Sequence, residues 1–387
     1  MSNSTPFDPP LATAFVVKIA ELCNLNCSYC YMYNKGDSSY RMRPKFMSTE
    51  AAVAMLARIA GYAQRHNLRN IALALHGGEP LLIGRQWVQW FLDEARNVAT
   101  SAGISFQVGI QTNGTLLDQD WVNLLSAYNV AIGVSCDGPA EWNDCDRVGF
   151  DGRGSYDKVR GALELLAATE SADWSVLTVV NPHAPPRSVL KHFVDLGATR
   201  IDFLWPDYTH DAPPPWPRGT LAAYFCDLFD YWYNELDSPP RIRWFENAMA
   251  LLLRGRSNCD VLGPNPITDI MVESDGTWQP LDTLRICGND MTRTGLDVRT
   301  SDVEEMWTMP LYQIGLRNQE LLSGQCRSCN YRRVCGGGYL PHRYRHDNGF
   351  SNPSVYCTDL LVVLSHIRQA IATDLEAFRT AVGSLPA

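Results

Sequence analysis

The sequence has no apolar run long enough to cross a lipid bilayer, which excludes a membrane-spanning helix. It also lacks an excess of basic residues: the formal net charge is −9, so nucleic acid is not expected to be the main partner. Residues 1–10 lack the basic start and the apolar stretch of a signal peptide. We therefore expect a cytoplasmic protein with neither a membrane nor a nucleic-acid partner.

The 12 cysteines have a particular meaning in such a chain. Disulfide bonds are rare in the cytoplasm, so clustered cysteines there are typical of metal ligands or catalytic groups. Two clusters stand near the two ends of the sequence: Cys23, Cys27 and Cys30 near the start, and Cys326, Cys329, Cys335 and Cys357 near the end. We interpret both clusters as metal sites.

The first half of the chain alternates β-rich runs with amphipathic stretches, which predicts strands followed by helices. The predicted strands are 14–19, 71–75, 105–110, 130–135, 175–180 and 200–204, and the predicted helices are 48–64, 86–99, 119–127, 155–168 and 186–196. This order predicts an α/β fold whose parallel sheet curls into a partial (β/α)6 barrel. We expect the barrel over residues 1–240 and a small cysteine-rich domain with a C-terminal helix over residues 241–387.

Polar and glycine-containing motifs follow the predicted strands. The first cysteine cluster follows the first strand, and residues 77–80, 111–114 and 136–138 follow the next three. In barrels of this kind the loops at the carboxyl ends of the strands build the active site. The motifs are therefore expected to meet at one site.

The N-terminal cysteines have the spacing C-x3-C-x2-C. Three thiolates on one tight loop can hold three irons of a cubane cluster and leave the fourth iron open. An open iron can bind the amino and carboxylate groups of S-adenosylmethionine (SAM) and pass it an electron, which gives methionine and a 5′-deoxyadenosyl radical. A zinc site without its fourth ligand and a chance spacing are the alternatives. Zinc ligands generally come as C-x2-C pairs, which favours the cluster.

With Gly77-Gly78-Glu79-Pro80 after the second strand, the sequence resembles the radical SAM superfamily. The resemblance implies a [4Fe–4S] cluster and SAM as cofactors. It also implies that residues 77–80 meet the SAM amino group, with Glu79 as a contact, and that Tyr29 lies near the adenine. Further SAM contacts implied in the same way are Asn113, Ser135 and Arg147. A plain strand-to-helix turn is the alternative for the glycines, and His76 is left open between packing and catalysis.

The C-terminal cysteines follow the pattern C-x2-C-x5-C with one more cysteine, Cys357, further on. Four thiolates can close a cubane completely, which is typical of an electron-transfer or structural cluster. Residues 336–338 are all glycine, which lets backbone N–H groups approach sulfide closely. A structural zinc site uses the same four ligands and stays open as an alternative.

This region resembles the SPASM domain, an extension that carries auxiliary clusters in many radical SAM peptide maturases. Five cysteines match its pattern of seven, but Leu281 and Tyr339 stand where the other two are expected. The resemblance implies at least one auxiliary [4Fe–4S] cluster, bound by Cys326, Cys329, Cys335 and Cys357. For a first auxiliary cluster only Cys259 and Cys287 remain as candidate ligands.

Four local strings, at 31–37, 284–288, 335–344 and 348–357, resemble the cyclophane-forming peptide maturases. This resemblance implies an enzyme that joins a side-chain β-carbon of a ribosomally made precursor peptide to an aromatic ring carbon. The implied partners are that peptide and an electron donor of the flavodoxin or ferredoxin type. The alternatives are a maturase that makes thioethers or formylglycine and, in another class, a non-catalytic iron–sulfur or zinc protein.

Joining a carbon to an aromatic ring needs a base, because the ring must lose a proton to regain its aromaticity. Asp282 is the first candidate, since it follows the missing cysteine at a position where related sulfatase-maturing enzymes carry a catalytic aspartate. A turn or cap role is the alternative for Asp282, and Asp207 is the second candidate. Cys136, at the end of a predicted strand, is a further group that could face the substrate.

Overall fold

The computed structural model of the protein describes residues 9–383. Its centre is a nine-stranded sheet in which the strands lie in the order β7-β6-β5-β4-β3-β2-β1-β8-β9. The strands are β1 (Ala14–Ala20), β2 (Asn70–Gly77), β3 (Ser105–Thr112), β4 (Ala131–Ser135), β5 (Trp174–Val179), β6 (Arg200–Leu204), β7 (Arg241–Ile242), β8 (Ile270–Val272) and β9 (Trp278–Gln279). Neighbouring strands from β7 to β8 are parallel, and β9 runs antiparallel to β8.

Helices follow the parallel strands and cover one face of the sheet. They are α1 (Thr49–Arg65), α2 (Arg85–Ala102), α3 (Gln119–Ala127), α4 (Ala140–Asp146), α5 (Tyr156–Ala167), α6 (Pro186–Asp195), α7 (Thr220–Asp230), α8 (Arg243–Leu252), α9 (Pro310–Leu316), α10 (Gly324–Arg327), α11 (Arg332–Cys335) and α12 (Cys357–Gly383). The first begins where predicted, because the Ser48 hydroxyl accepts a hydrogen bond from the backbone N–H of Ala51 at 3.1 Å.

The sheet has one face for the core and one for the site. In β2, Ile71, Leu73 and Leu75 are fully buried against the helices, whereas the alternate residues, among them His76, are only half-buried. Successive side chains of a strand point to opposite faces, so the half-buried set faces the inside of the curved sheet. The interior is therefore where side chains are free to meet a ligand.

The predicted fold class is confirmed: a parallel sheet with a helix after each of its first strands. Three short strands were not predicted, since runs of two or three residues carry no periodicity. Two of them, β8 and β9, extend the sheet beside β1 although they come from beyond residue 240. The domain division at residue 240 stays a prediction. In the part of the chain that the structure describes, no helix is long and apolar enough to cross a membrane.

The C-terminal half has two apolar regions. The helix α12 packs against α7 and α8, and its buried side chains join the main core. A second, smaller group, which we call the C-terminal apolar cluster, is formed by Ile267, Met271, Leu281, Leu284, Cys287, Leu340 and Phe350.

Candidate active site

A cavity of about 310 Å³ lies at the carboxyl ends of the strands. Alternate residues of five strands line it, among them His76, Gln111 and Asp202. The three N-terminal cysteines line the same cavity, as the position of their loop after β1 predicts. The strand ends therefore converge on the cysteine loop.

Backbone hydrogen bonds hold the cysteine loop in place. The N–H of Cys30 donates to the carbonyl of Cys27 at 3.1 Å, which closes a turn between the second and third cysteines. The N–H of Asn26 donates to the carbonyl of Val148, just after α4, at 2.7 Å, and the N–H of Ser28 donates to the carbonyl of Asp146, the last residue of α4, at 3.1 Å. Hydrogen bonds within the loop and to the end of α4 thus hold the loop in place without a cofactor.

The surroundings of the three thiols suit thiolates bound to an iron–sulfur cluster better than unbound thiols. Burial raises the pKa of the Cys23 thiol to about 12 and that of Cys27 to about 11. Thiols in such surroundings are inert unless a metal binds them as thiolates. Among residues 9–383, no three His, Cys, Asp or Glu side chains lie close enough to hold a single metal ion. Thiolates bound to separate irons of a cubane need no such close approach.

Six of the seven predicted SAM contacts line this cavity: Tyr29, Gly77, Gly78, Asn113, Ser135 and Arg147. The glycines are required by close packing. A Cβ on Gly77 would lie 2.0 Å from the carbonyl oxygen of Ala20, and one on Gly78 would lie 2.2 Å from the hydroxyl of Tyr33. No larger residue fits there, so the glycines let the end of β2 pack directly against β1 and the cysteine loop.

A buried charged group stands beside the cysteines. Arg147 donates to the hydroxyl of Tyr29 at 2.7 Å, and that hydroxyl donates in turn to Asp137. The guanidinium opposes the effect of burial on the pKa of Cys27, so it lies close to that sulfur. A buried cation beside three thiolates is the arrangement that an anionic cluster needs.

Glu79 is not among the residues that line the cavity, and its contact with SAM stays a prediction. Its carboxylate is completely buried and accepts hydrogen bonds from the N–H groups of Asn113 and Leu81, at 2.7 and 3.0 Å, and from the hydroxyl of Thr112 at 2.7 Å. It therefore positions the loop after β3, including Asn113, and acts on the site through that loop.

Asp282 is likewise not among the residues that line the cavity, although its neighbour Thr283 and its hydrogen-bond partner Tyr31 are. Its carboxylate lies 3.1 Å from the ammonium of Lys18 and accepts a hydrogen bond from the hydroxyl of Tyr31 at 2.5 Å. Burial opposes ionisation, but Lys18, His76, the Tyr31 hydroxyl and Arg285 together outweigh it and lower the pKa of Asp282. A paired carboxylate with a lowered pKa is a weaker base, and the role of Asp282 as the catalytic base stays a prediction.

A buried group of charges around Asp282 was missed by sequence reasoning. Lys18 is completely buried on β1 and lies 3.4 Å from Glu273, which Arg285 contacts at 2.7 Å. Arg285 also contacts Asp37 at 3.2 Å. The one signal was a lysine in an otherwise apolar strand; its partners are too far along the chain to be read from the sequence.

The four C-terminal cysteines come together as predicted by their spacing. Burial raises the pKa of Cys335 to about 12, and the other three thiols raise it further, so all four are neighbours. None of them is among the residues lining the cavity. The glycines that follow Cys335 have φ between +66° and +93°, and a Cβ on Gly336 would lie 1.8 Å from the carbonyl oxygen of Gly263.

Arg343 provides an independent test of whether this site fits an anionic cluster. It is completely buried, and it donates to the carbonyl oxygens of Phe350 and Leu321 at 3.0 and 3.2 Å. Burial lowers its pKa to about 10, and the sulfurs of Cys326 and Cys335 lie near enough to oppose this shift. A buried cation needs an anion nearby, and four thiolates on iron would supply one.

Cys259 and Cys287, the candidate ligands of a first auxiliary cluster, pack in two different apolar groups, and their assignment stays a prediction. Cys259 packs in the main core, and Cys287 packs in the C-terminal apolar cluster together with Leu281. Leu281 and Tyr339 stand where two ligands would be needed, so the place is filled by apolar and aromatic side chains. Cys136 is likewise buried in the core, away from the cavity lining.

Four rings form what we call the aromatic wall of the cavity: Trp205, Tyr339, His342 and Tyr356. The rings of Tyr339 and His342 lie 5.2 Å apart, those of His342 and Tyr356 5.1 Å, and those of Tyr356 and Trp205 5.3 Å. Asp207, the second base candidate, lines the cavity beside them. His342 was missed, because no spacing in the sequence connects it to the other groups.

Residues 17–196 match the model of the Radical SAM superfamily. These residues form a radical SAM domain, and the chain is a radical SAM enzyme that uses a [4Fe–4S] cluster and SAM. The alternative of a non-catalytic metal protein is therefore wrong.

The chain is similar over most of its length to proteins of more than one kind. It is 26% identical to a cysteine-type anaerobic sulfatase-maturating enzyme of Clostridium perfringens, over 90% of this chain and 94% of that protein. The solved structure of native anSMEcpe with bound AdoMet, which is SAM, has a TM-score of 0.82 at 23% identity and covers 95% of this chain and 100% of that one. Streptococcus suis SuiB bound to its precursor peptide SuiA has a TM-score of 0.60 at 15% identity, over 90% of this chain and 76% of that one.

Proposed function

We propose that this enzyme joins the β-carbon of one side chain to an aromatic ring carbon of another within a ribosomally made precursor peptide. The observation that carries the proposal is the aromatic wall. It lines the same cavity as the cysteine triad, and its Tyr339 stands where the SPASM pattern has a cysteine. Aromatic rings prefer stacked or edge-to-face neighbours, so this wall suits the aromatic side chain of a peptide.

The cofactors supply one part of the chemistry: when bound, they yield a 5′-deoxyadenosyl radical that can remove a hydrogen atom from an unactivated C–H bond. The chain supplies the rest. Gly77, Gly78 and Asn113 leave backbone and amide groups open to the SAM side of the cavity, and Arg147 neutralises charge there. The aromatic wall orients the peptide so that the carbon atoms to be joined lie within reach of each other.

A peptide or protein substrate is supported by the proteins to which the chain is similar. One is called a sulfatase-maturating enzyme, and another was solved with a precursor peptide. The cavity is about 310 Å³ and reaches from the cysteine triad to the aromatic wall, which is room for side chains rather than for a folded protein. A loop or an extended segment must therefore enter.

Formylglycine formation is the second candidate function, because the similarity to the sulfatase-maturating enzyme extends over 90% of the chain. In this chain, however, the aspartate that such a role would use is paired with Lys18 and lies behind Tyr31. Thioether formation is the third. An electron donor of the flavodoxin or ferredoxin type completes the proposal, since SAM cleavage consumes an electron.

The test is the intact mass and the fragmentation pattern of a short peptide encoded beside the gene, after anaerobic co-expression with the enzyme. Loss of two hydrogen atoms per link, with thiols still open to alkylation and an aromatic residue inside the segment that resists fragmentation, is the expected result. A consumed thiol would instead indicate a thioether. A product that reacts with a hydrazide would indicate formylglycine, and either outcome would contradict the proposal.

A further inference from the structure

We propose that His342, assisted by Asp207, is the base that takes the ring proton when the aromatic side chain of the substrate regains its aromaticity. This inference rests on the proposed function, and it assigns a catalytic residue to it. It replaces Asp282, whose carboxylate is paired with Lys18 and does not line the cavity.

The side chain of His342 has an unused nitrogen in the right place. Its Nε2 is buried and has no hydrogen-bond partner, and it lies 3.5 Å from a carboxylate oxygen of Asp207. Both residues line the cavity that the cysteine triad also lines. A buried polar atom without a partner is costly, and it persists where a ligand or a reaction uses it.

The position of the His342 ring is fixed by its own helical turn and by two neighbouring tyrosine rings. It stands in a short helical turn, Pro341–Arg343, and lies edge-on to the rings of Tyr339 and Tyr356. The hydroxyl of Tyr356 donates to the carbonyl of Pro206 at 2.8 Å. Because Pro206 precedes Asp207, the same tyrosine positions both members of the pair.

The chemistry of ring closure needs a base at this position. When a side-chain carbon radical adds to a ring carbon, a C–C bond forms and the ring becomes a cyclohexadienyl radical. To restore the ring, the C–H bond at that carbon breaks. Its proton goes to the imidazole of His342, and one electron goes to a one-electron acceptor of the iron–sulfur class. The carboxylate of Asp207 then stabilises the imidazolium that has formed.

His76 is the other histidine of the cavity, and its surroundings are less suitable. Its Nδ1 is also buried without a partner. Burial lowers the pKa of its ring; Asp282 and Glu273 oppose this shift and Lys18 adds to it, so the net effect disfavours the imidazolium. It stands on β2, whereas the aromatic wall is formed by Trp205, which follows β6, and by three residues of the C-terminal half. The two histidines therefore give opposite predictions in one experiment.

The experiment compares His342→Gln, His76→Gln and the wild-type enzyme, each loaded with its clusters, in D2O with the peptide and a chemical reductant. We expect His342→Gln still to form deoxyadenosine, while crosslinked peptide per deoxyadenosine falls about 100-fold or more. Without the base, the C–C bond of the cyclohexadienyl radical breaks again and the side-chain carbon radical re-forms. An electron from the reductant and a solvent deuteron then quench that radical, so unlinked peptide gains one deuterium. His366→Gln is the matched control, since His366 also pairs with a carboxylate, Asp230 at 2.7 Å, but outside the cavity.

His342→Ala with added imidazole separates a base from a structural role. Partial return of the crosslink with imidazole would support the base, because a missing contact in the fold is not restored by a free ring. The proposal is overturned if His342→Gln crosslinks normally, if only His76→Gln uncouples the reaction, or if His342→Ala loses deoxyadenosine formation. The product of the wild-type enzyme is analysed before any variant is made. A wild-type product without a ring link would refute the proposed function instead of the role of His342.

Discussion

The two cysteine sites of this chain differ in what surrounds them. The N-terminal three line a cavity that backbone glycines and Arg147 also line, and the C-terminal four are absent from that lining. Both sites have a buried cation nearby. Arg147 is part of a chain with Tyr29 and Asp137, whereas the charged neighbours of Arg343 are the cysteines themselves.

The difference shows how ligand count and surroundings divide the work. Three thiolates beside a cavity leave one iron free for SAM, and four thiolates away from the cavity close a cluster that can only store or pass electrons. At the N-terminal site, SAM would supply the ligands of the iron that the three cysteines leave open. The C-terminal site depends on its own cluster for charge balance.

The largest expected effect is that of Cys30→Ser, which removes one of three ligands where the cluster has none to spare. We expect deoxyadenosine formation to disappear and about four irons per chain to be lost. Iron content and chromatography of the SAM products measure this. Cys145→Ser is the control, because Cys145 is exposed and lies outside the cavity lining. Residual SAM cleavage in Cys30→Ser would contradict the division between the sites.

Cys335→Ser should separate the two sites. We expect SAM cleavage within a few-fold of wild type, about 100-fold less crosslinked peptide, and a loss of iron confined to the C-terminal cluster, because an electron acceptor is then missing. Metal analysis of the wild-type chain checks the premise. Zinc bound there in place of iron would refute the electron-transfer role and would keep the structural one.

A pair of charge removals sharpens the comparison further. The ammonium of Lys18 lies 3.1 Å from Asp282 and 3.4 Å from Glu273, and Lys18→Met leaves both buried carboxylates without it. The substitution should lower the free energy of unfolding by about 3 kcal/mol with or without cofactors. Arg343→Met should cost stability mainly in the cluster-loaded protein, because its anionic partner is the cluster. Thermal unfolding of loaded and cluster-free protein measures both. Equal losses in the two states for Arg343→Met would contradict this account.

Much of the barrel was predictable because its signals are local. The helix Gln119–Ala127 and the strand Arg200–Leu204 have the predicted bounds, and the cysteine loop follows β1 as its position in the sequence predicts. Periodicity, caps and short spacings are set by residues that lie close together in the chain. Motifs at strand ends meet because parallel strands end at one edge of the sheet.

The roles of single side chains were less predictable, because distant residues decide them. Glu79 and Asp282 belong to motifs that the sequence placed near the cavity. In the structure, the carboxylate of Glu79 is hydrogen-bonded to Thr112, and that of Asp282 is paired with Lys18. His342 acquires its role from Asp207, which lies 135 residues earlier in the chain. No local pattern records such pairs, whereas the fold brings them together.

The smallest expected effect concerns the link between the two halves of the molecule. Glu304, in the short helical turn Val303–Thr308, accepts hydrogen bonds from Arg65 of α1 at 2.8 Å. Partial burial opposes ionisation, but Arg65 outweighs it and lowers the pKa of Glu304 to about 2. A lowered pKa stabilises the fold above the ordinary value of 4.5, and this contribution is lost as the pH falls towards 2.

Glu304→Gln should therefore lower the free energy of unfolding at neutral pH by less than about 1 kcal/mol, since the arginine is half-exposed and solvent screens the pair. The deficit should shrink below pH 4.5 as the wild-type carboxylate takes up its proton. Glu164→Gln, which removes a pair within α5 alone, is the control. If the halves unfold together, Glu304→Gln shifts one common transition in urea. A separate, earlier transition of the C-terminal half would show that this half unfolds on its own. Arg343 and its cysteines would then belong to an independently unfolding region.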